Sequence, residues 1–219
     1  MHSLISIFKH LVNLIFPQTC IRCGVAGVPL CKDCITKLPQ AREAEHSFIT
    51  AIFDYRDPSV RQAIWQFKYR NARKVAESFG EKLYEELLGD LGDSLHISKN
   101  ESFLLIPIPL HKKRLQERGY NQSELLAREI LKYDTEGIFE LTSHALIRTR
   151  ATNAQAKKEK RAARLENLRG AFSANPELVC KKNIILIDDV TTTGATLAEA
   201  RKVLLKAGAR SVRALTVAH

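Results

Sequence analysis

The stretch Ile184-Ile185-Leu186-Ile187-Asp188-Asp189-Val190-Thr191-Thr192-Thr193-Gly194-Ala195-Thr196 decides the fold. Four consecutive apolar residues, three of them isoleucine, suit a strand buried on both faces, as in a parallel sheet. The composition then changes abruptly to two carboxylates, hydroxyls and a glycine, so polar groups collect at the strand's carboxyl end. From Ala195 the apolar positions Leu197, Ala200, Val203 and Leu204 have helical period, and Ala207-Gly208 supplies a stop. Ser211 to Val217 reads as a second strand, which completes a β-α-β unit.

Ligands of open α/β sheets sit outside the carboxyl ends of the strands, where a helix amino terminus offers free N–H groups and the positive end of its dipole. A phosphate suits that position. Gly194 lets backbone approach it closely, and Thr192, Thr193 and Thr196 add hydroxyl donors. Asp188 and Asp189, as ionised acceptors, require hydroxyl donors or a metal, and the vicinal hydroxyls of a ribose meet the first need. A sugar phosphate therefore satisfies both halves of the motif. Two other readings compete: a buried strand with a Thr-rich cap and solvated aspartates, and a nucleoside triphosphatase. The chain carries no G-x-x-x-x-G-K-[ST] loop for the latter.

Cys20-x-x-Cys23 and Cys31-x-x-Cys34 place four of the five cysteines within fifteen residues. Each pair can turn two thiolates toward one centre, with Gly24 and Gly27 allowing tight turns, so four sulfurs can enclose a tetrahedral Zn²⁺ in a compact knuckle or ribbon. A closed shell of four thiolates leaves no open position and implies a structural metal. Disulfides and an iron–sulfur centre are the alternatives. Cys180 stands alone and reads as an ordinary buried or edge thiol.

At 219 residues the chain holds one full domain plus a small module, and its 45% hydrophobic content is ordinary for a folded protein. The net charge of +10 points to polyanionic ligands or partners. Arg148 to Arg169 carries eight basic residues against Glu159 and Glu166, a net +6, and reads either as a solvated helix face or as a loop that closes over an anion. Residues 1–16 read as an amphipathic helix. They are too short and too interrupted to span a bilayer and lack the basic start and cleavage site of a signal peptide, so a cytoplasmic location with no transmembrane segment is expected.

Phe48 to Tyr55 is predicted as a strand and Ser59 to Leu88 as one long helical region. Gly89 to Asn100 is predicted as a surface loop. Trp65, beside Lys68-Tyr69-Arg70, is assigned to the core in preference to base stacking. Phe103 to Pro109 is a strand ending in prolines, followed by a cation-rich loop, His111 to Arg114 and Arg118-Gly119, that can hold a second phosphate cluster. His111 reads as a solvated loop residue rather than a general acid. Asn121 and Gln122 either read an acceptor or cap a helix over Ser123 to Leu131.

Ile185 to Thr196 resembles the phosphoribosyl pyrophosphate (PRPP) signature of type I phosphoribosyltransferases. Together with the paired cysteines, Ile106 to Leu110 leading to Arg118-Gly-Tyr-Asn-Gln122, and Arg148 to Phe172, it makes the chain similar to the ComF family. The resemblance covers most of the chain and implies an α/β fold: a mainly parallel phosphoribosyltransferase sheet flanked by helices and preceded by a four-cysteine zinc module. The implied organisation is an amino-terminal helix over 1–16, the zinc module over 17–40, a connecting or hood region over 41–100, and the transferase domain over 101–219.

The resemblance further implies a PRPP site of Asp188, Asp189, Thr191, Thr192, Thr193, Gly194, Ala195 and Thr196. Its pyrophosphate loop would comprise Pro107, Ile108, Pro109, Arg118 and Gly119, and its flexible loop would carry Gln155, Arg164 and Asn167. Asp188, Asp189, Arg118 and Arg164 are the implied catalytic residues, with Mg²⁺ entering on PRPP and Zn²⁺ favoured over iron at Cys20, Cys23, Cys31 and Cys34. Some purine-using relatives carry a carboxylate at the position of Thr192, which argues against a purine acceptor here. Two further readings stay open. One is a competence accessory that handles single-stranded DNA along Lys68, Arg70, Lys112 to Arg114 and Arg148 to Arg169. The other is a scaffold whose first 39 residues recruit a partner such as a helicase.

Overall fold

The computed structural model describes residues 18–42, 46–70, 72–97, 102–150 and 170–219, with side chains omitted for 93–97. The expected amphipathic helix over 1–16 lies outside these residues, as do Gln155, Arg164 and Asn167.

Five strands form one wholly parallel sheet: β1 (Ile49–Phe53), β2 (Phe103–Pro107), β3 (Phe139–Leu141), β6 (Asn183–Val190) and β7 (Ser211–Ala218). Their order across the sheet is β1-β7-β6-β2-β3. β4 (Leu146–Arg148) and β5 (Phe172–Ala174) pair antiparallel as a separate ribbon. The apolar run of β6 occupies the middle of the sheet, and Ile184, Ile185, Leu186 and Ile187 are all buried. Each such side chain contributes on the order of 2 kcal/mol of burial. Alternation divides them between two cores. Ile185 and Ile187 face helices α2 (Pro58–Tyr69), α3 (Ala72–Ile97) and α5 (Gln122–Leu131). Ile184 and Leu186 face α7 (Ala195–Lys206), the β4–β5 ribbon and α6 (Pro176–Val179).

The region expected to be one helix from Ser59 to Leu88 is two. Asp57 caps α2 by accepting from the N–H groups of Ser59 and Val60, Pro58 occupies its first turn, and the chain leaves helical geometry at Arg70 (φ −137°, ψ −77°). Residues 89–97 of the predicted loop are instead the last part of α3. Phe79, Leu83, Leu87 and Leu91 continue one buried stripe, and this packing overrides the poor helix propensity of Gly89 and Gly92. Gly80 sits where α3 crosses α5: a Cβ there would lie 2.9 Å from Glu129 Cβ, so only glycine allows this approach.

The segment expected as a cation-rich loop contains a short helix, α4 (Lys112–Arg118). Its side chains bury nothing, but His111 caps it through Nδ1 and Gly119 closes it at φ +75°. The strand predicted around Phe48 to Tyr55 is β1, which pairs with β7 and therefore belongs to the same sheet as the β6 motif.

The cysteine segment is folded against this body. Gly24 and Gly27 have φ of +77° and +103°, and Thr19 bridges Ala26 across the first turn. The short helix α1 (Lys32–Ile35) follows Cys31. Leu30, Cys34, Ile35 and Leu38 enter the same core as Phe53, Phe79 and Leu83, and Lys32 pairs with Glu81 on α3. Gln40 bridges Phe53, which ties the segment to β1. Among the described residues no helix is long and apolar enough to cross a membrane. Cys180, expected buried or at an edge, is an exposed thiol after α6.

Candidate sugar-phosphate site

The carboxyl ends of β2 and β6 lie side by side, with Pro107 opposite Ile187 and the Ile108 N–H donating to the Ile187 carbonyl at 2.9 Å. This register brings Pro107 and Ile108 next to Asp188 and Asp189. Asn121 fixes the loop that follows: its side chain accepts from the Ser123 N–H at the start of α5 and donates to the Ile108 carbonyl at 3.1 Å. Of the two roles considered for Asn121, the structure assigns the cap. Gln122, beside it, is buried and its Nε2 has no partner among the described residues.

Asp188 and Asp189 project from the last turns of β6 into different surroundings. Asp188 Oδ1 accepts from the Ser123 hydroxyl at 3.0 Å and from the Asp189 N–H at 2.9 Å. Burial, and then the adjacent Asp189 charge, push the Asp188 carboxyl up to about 7, against the opposing pull of the Asp189 N–H, Lys68 and Ser123. Asp189 is ion-paired to Lys68 Nζ at 3.0 Å. Lys68 comes from the end of α2, and Tyr120 holds it there with a hydroxyl 3.2 Å from both the Phe67 and Lys68 carbonyls. In the sequence Lys68 belongs only to a basic spot. No local signal joins residue 68 to residue 189, because the contact depends on α2 packing over the sheet end.

After β6 the chain turns through Thr191, whose N–H donates to the Ala218 carbonyl at 3.0 Å, and Thr192, whose carbonyl lies 3.1 Å from His219 Nε2. Because a carbonyl only accepts, this contact selects the tautomer with hydrogen on Nε2. Gly194 then adopts φ +68° and no side chain caps α7, so the first N–H groups of this twelve-residue helix stay open toward the sheet end. A Cβ on Gly194 would lie 2.5 Å from His46 Cδ2 and 2.9 Å from Ile49 Cδ1. His46 thus covers the turn, a contact for which no sequence pattern is a signal. Gly194→Ala should destabilise the protein by about 1–3 kcal/mol from backbone strain and the clash with His46. Urea unfolding of the variant checks this, and an unchanged midpoint would contradict it.

The Arg118 guanidinium lies 5.8 Å from the centre of the Tyr69 ring. Trp65, assigned to the core from sequence, is 48% exposed, because α2 turns Ile64 and Phe67 inward and leaves Trp65 on its outer face.

The four cysteine sulfurs lie within 4.8 Å of one another and can hold a metal ion. Burial together with hydrogen bonds to the neighbouring thiols pushes Cys34 up to about 12. Burial also acts on Cys20, but the N–H groups of the surrounding turn outweigh it and bring that thiol to about 6. Such crowding of thiols opposes multiple ionisation unless a cation is shared among them.

Parallel β6–α7–β7 topology, a carboxylate pair at the strand end, an uncapped helix terminus and an amino-terminal four-cysteine cluster define an α/β protein with a small module whose cysteines can hold a metal ion. The chain is 31% identical over 206 residues to Competence protein ComFC of Bacillus subtilis (strain 168), covering 89% of this chain and 76% of that protein. It is 29% identical over 201 residues to DNA utilization protein YhgH of Escherichia coli (strain K12), covering 89% and 81%. It is 28% identical over 207 residues to Competence protein F of Haemophilus influenzae, covering 87% and 81%. This chain belongs to the ComF family.

No family model matches the chain. Among solved structures it resembles a glutamine PRPP amidotransferase from B. subtilis complexed with ADP and GMP, at TM-score 0.40 and 20% identity. That alignment covers 69% of this chain and 30% of the other. It also resembles hypoxanthine-guanine phosphoribosyltransferase from Schistosoma mansoni in complex with IMP, at TM-score 0.33 and 11% identity, covering 65% and 54%.

Proposed function

We propose that this chain binds PRPP at the end of β6 and transfers its 5-phosphoribosyl group to an acceptor, with release of pyrophosphate. The observation that carries this reading is the paired Asp188 and Asp189 followed, after Val190 and a turn through Thr191 to Thr193, by Gly194 and the uncapped start of α7. The carboxylates accept from the two ribose hydroxyls. The backbone from Thr192 to Thr196 and its threonine hydroxyls hold the 5-phosphate, with Thr191 supporting the turn through its bond to Ala218. The C1–O bond to pyrophosphate breaks as the acceptor's lone pair forms a new bond to C1, and the acceptor gives up a proton. The developing positive charge at C1 is stabilised by the nearby carboxylates, and the leaving group by cations.

Pro107, Ile108, Pro109 and Gly119 shape the loop on which that leaving group rests, and Arg118 and Arg164 are its proposed counter-ions. Mg²⁺ bound to pyrophosphate would neutralise further charge. Lys68 would give up Asp189 when ribose hydroxyls arrive, which frees its ammonium for the pyrophosphate.

The metal at Cys20, Cys23, Cys31 and Cys34 is proposed to be structural zinc. Tetrahedral Zn–S bonds separate the sulfurs by about 3.8 Å, and Cys23 Sγ and Cys31 Sγ are 3.7 Å apart. The name of one relative, DNA utilization protein YhgH, supports a second role in handling DNA.

Calorimetric titration with PRPP and Mg²⁺ tests the first reading. The wild-type protein should bind, and the Asp188→Asn/Asp189→Asn double variant should not. Absence of heat from both would overturn the proposal. Binding by the wild type would justify measuring pyrophosphate release across candidate acceptors.

A further inference from the structure

From the exposed face of α2 we infer a stacking platform for single-stranded nucleic acid, built from Trp65 and Tyr69 with Arg70 and Arg118 at its edges. Trp65 is 48% and Tyr69 61% exposed, and their ring centres are 5.9 Å apart on successive turns of the helix. Leaving two large aromatic surfaces in water is unfavourable unless something covers them. Their neighbours indicate what that is. The Arg70 guanidinium lies 5.0 Å from the Trp65 ring centre and the Arg118 guanidinium 5.8 Å from that of Tyr69. Each ring therefore carries a cation beside it.

The charge around the rings is mainly positive. α2 contains no aspartate or glutamate, while Arg61 and Arg70 are exposed. Arg118 joins this face to α4, where Lys112 and Lys113 are also exposed and Glu117 is the one acid. An apolar protein partner would leave these cations unpaired, and a bare polyanion would leave the rings wet. Single-stranded nucleic acid meets both needs, because its bases stack on aromatic faces and its phosphates pair with guanidinium and ammonium groups. A duplex keeps its base faces occupied by one another and cannot use the rings.

This inference rests on the DNA-handling reading for its ligand class and does not depend on PRPP transfer. The platform shares α2 with Lys68, which pairs with Asp189.

Trp65 is the chain's single tryptophan, so its emission reports the platform directly. The 219-residue chain, loaded with zinc, is titrated with a 15-nucleotide thymidine oligomer while tryptophan emission is followed. Anisotropy of the labelled oligomer gives affinity for the variants. Saturable quenching is expected, with affinity falling as salt rises. Trp65→Ala/Tyr69→Ala should weaken binding about tenfold or more. Trp65→Phe/Tyr69→Phe should retain most of it, and Arg70→Gln/Arg118→Gln should flatten the salt dependence.

Because both rings are exposed, the alanine variant should keep the wild-type melting temperature, which separates lost contact from lost fold. The inference is overturned by oligomer binding that leaves Trp65 emission unchanged, by equal affinity of the alanine variant, by equal quenching with a duplex of the same length, or by no binding. PRPP titration of the same alanine variant should match wild type. A failure confined to PRPP would count against the transferase reading alone.

Discussion

Asp188→Asn is expected to stabilise the free protein above pH 7 while abolishing its binding of PRPP. In the fold, burial and the neighbouring Asp189 hold the Asp188 carboxyl near 7, far above the value of about 3.9 for an unfolded aspartate. Between those values the unfolded chain has released this proton and the folded chain has not. Folding stability contributed by the group therefore falls as pH rises from about 4 to about 7, and the deficit stays constant above that range. Asparagine carries no charge and can still accept from the Ser123 hydroxyl and the Asp189 N–H, so the variant escapes the deficit. The gain at pH 8 should be on the order of 2–4 kcal/mol, or several degrees in melting temperature. Thermal scans of both proteins at pH 5 and pH 8 check this: the difference should grow with pH. Equal stability at pH 8 would show that the carboxylate pair stores no repulsion. In the wild type the same proton should weaken PRPP affinity as pH falls below about 7, since a neutral carboxyl attracts ribose hydroxyls less than a carboxylate does.

If the four cysteines hold zinc as proposed, removing it should unfold more than the cysteine segment. Leu30, Cys34, Ile35 and Leu38 share one core with Phe53 of β1 and with Phe79 and Leu83 of α3. Gln40 bridges Phe53, and the Ala41 N–H donates to the Ile52 carbonyl at 2.8 Å. Loss of the metal would expose one side of α3 and weaken the edge strand that supports Ile49 against Gly194. A structural zinc site of four cysteines contributes folding free energy directly, so a strong chelator or Cys34→Ser should lower the melting temperature by about 10 °C or more. Scanning calorimetry with parallel detection of released metal measures this. Stoichiometric release with an unchanged transition would mean that the segment is an independent appendage. The same experiment with cysteines alkylated after release would report whether the four thiols were the ligands.

The β6–α7–β7 unit is legible in the sequence because its signals are local. A buried parallel strand needs a continuous apolar run, a helix needs a period near 3.6, and the turn between them needs a residue that tolerates positive φ. Cysteine spacing is legible for the same reason, since two C-x-x-C turns select one centre. Where local and tertiary preferences conflict, tertiary packing wins. Gly89 and Gly92 suggest a loop, but burial of Leu87 and Leu91 carries α3 through them. Lys112 to Arg118 suggests a loop, but His111 and Gly119 close both ends of a helix. Trp65 suggests core by its chemistry, while the inner face of α2 is filled by Ile64 and Phe67.

Residue order alone specifies the central β-α-β unit, the acidic pair with the helix terminus after it, and the four candidate metal ligands. All of these are written over short spans in hydrophobic period, backbone tolerance and ligand spacing. Folding in three dimensions is what brings Lys68 and Ser123 to the two aspartates, lays His46 over Gly194, and turns Trp65 and Tyr69 to solvent. These contacts join residues far apart in the chain, and they arise from how α2, α5 and β1 pack over the sheet, which no local pattern encodes.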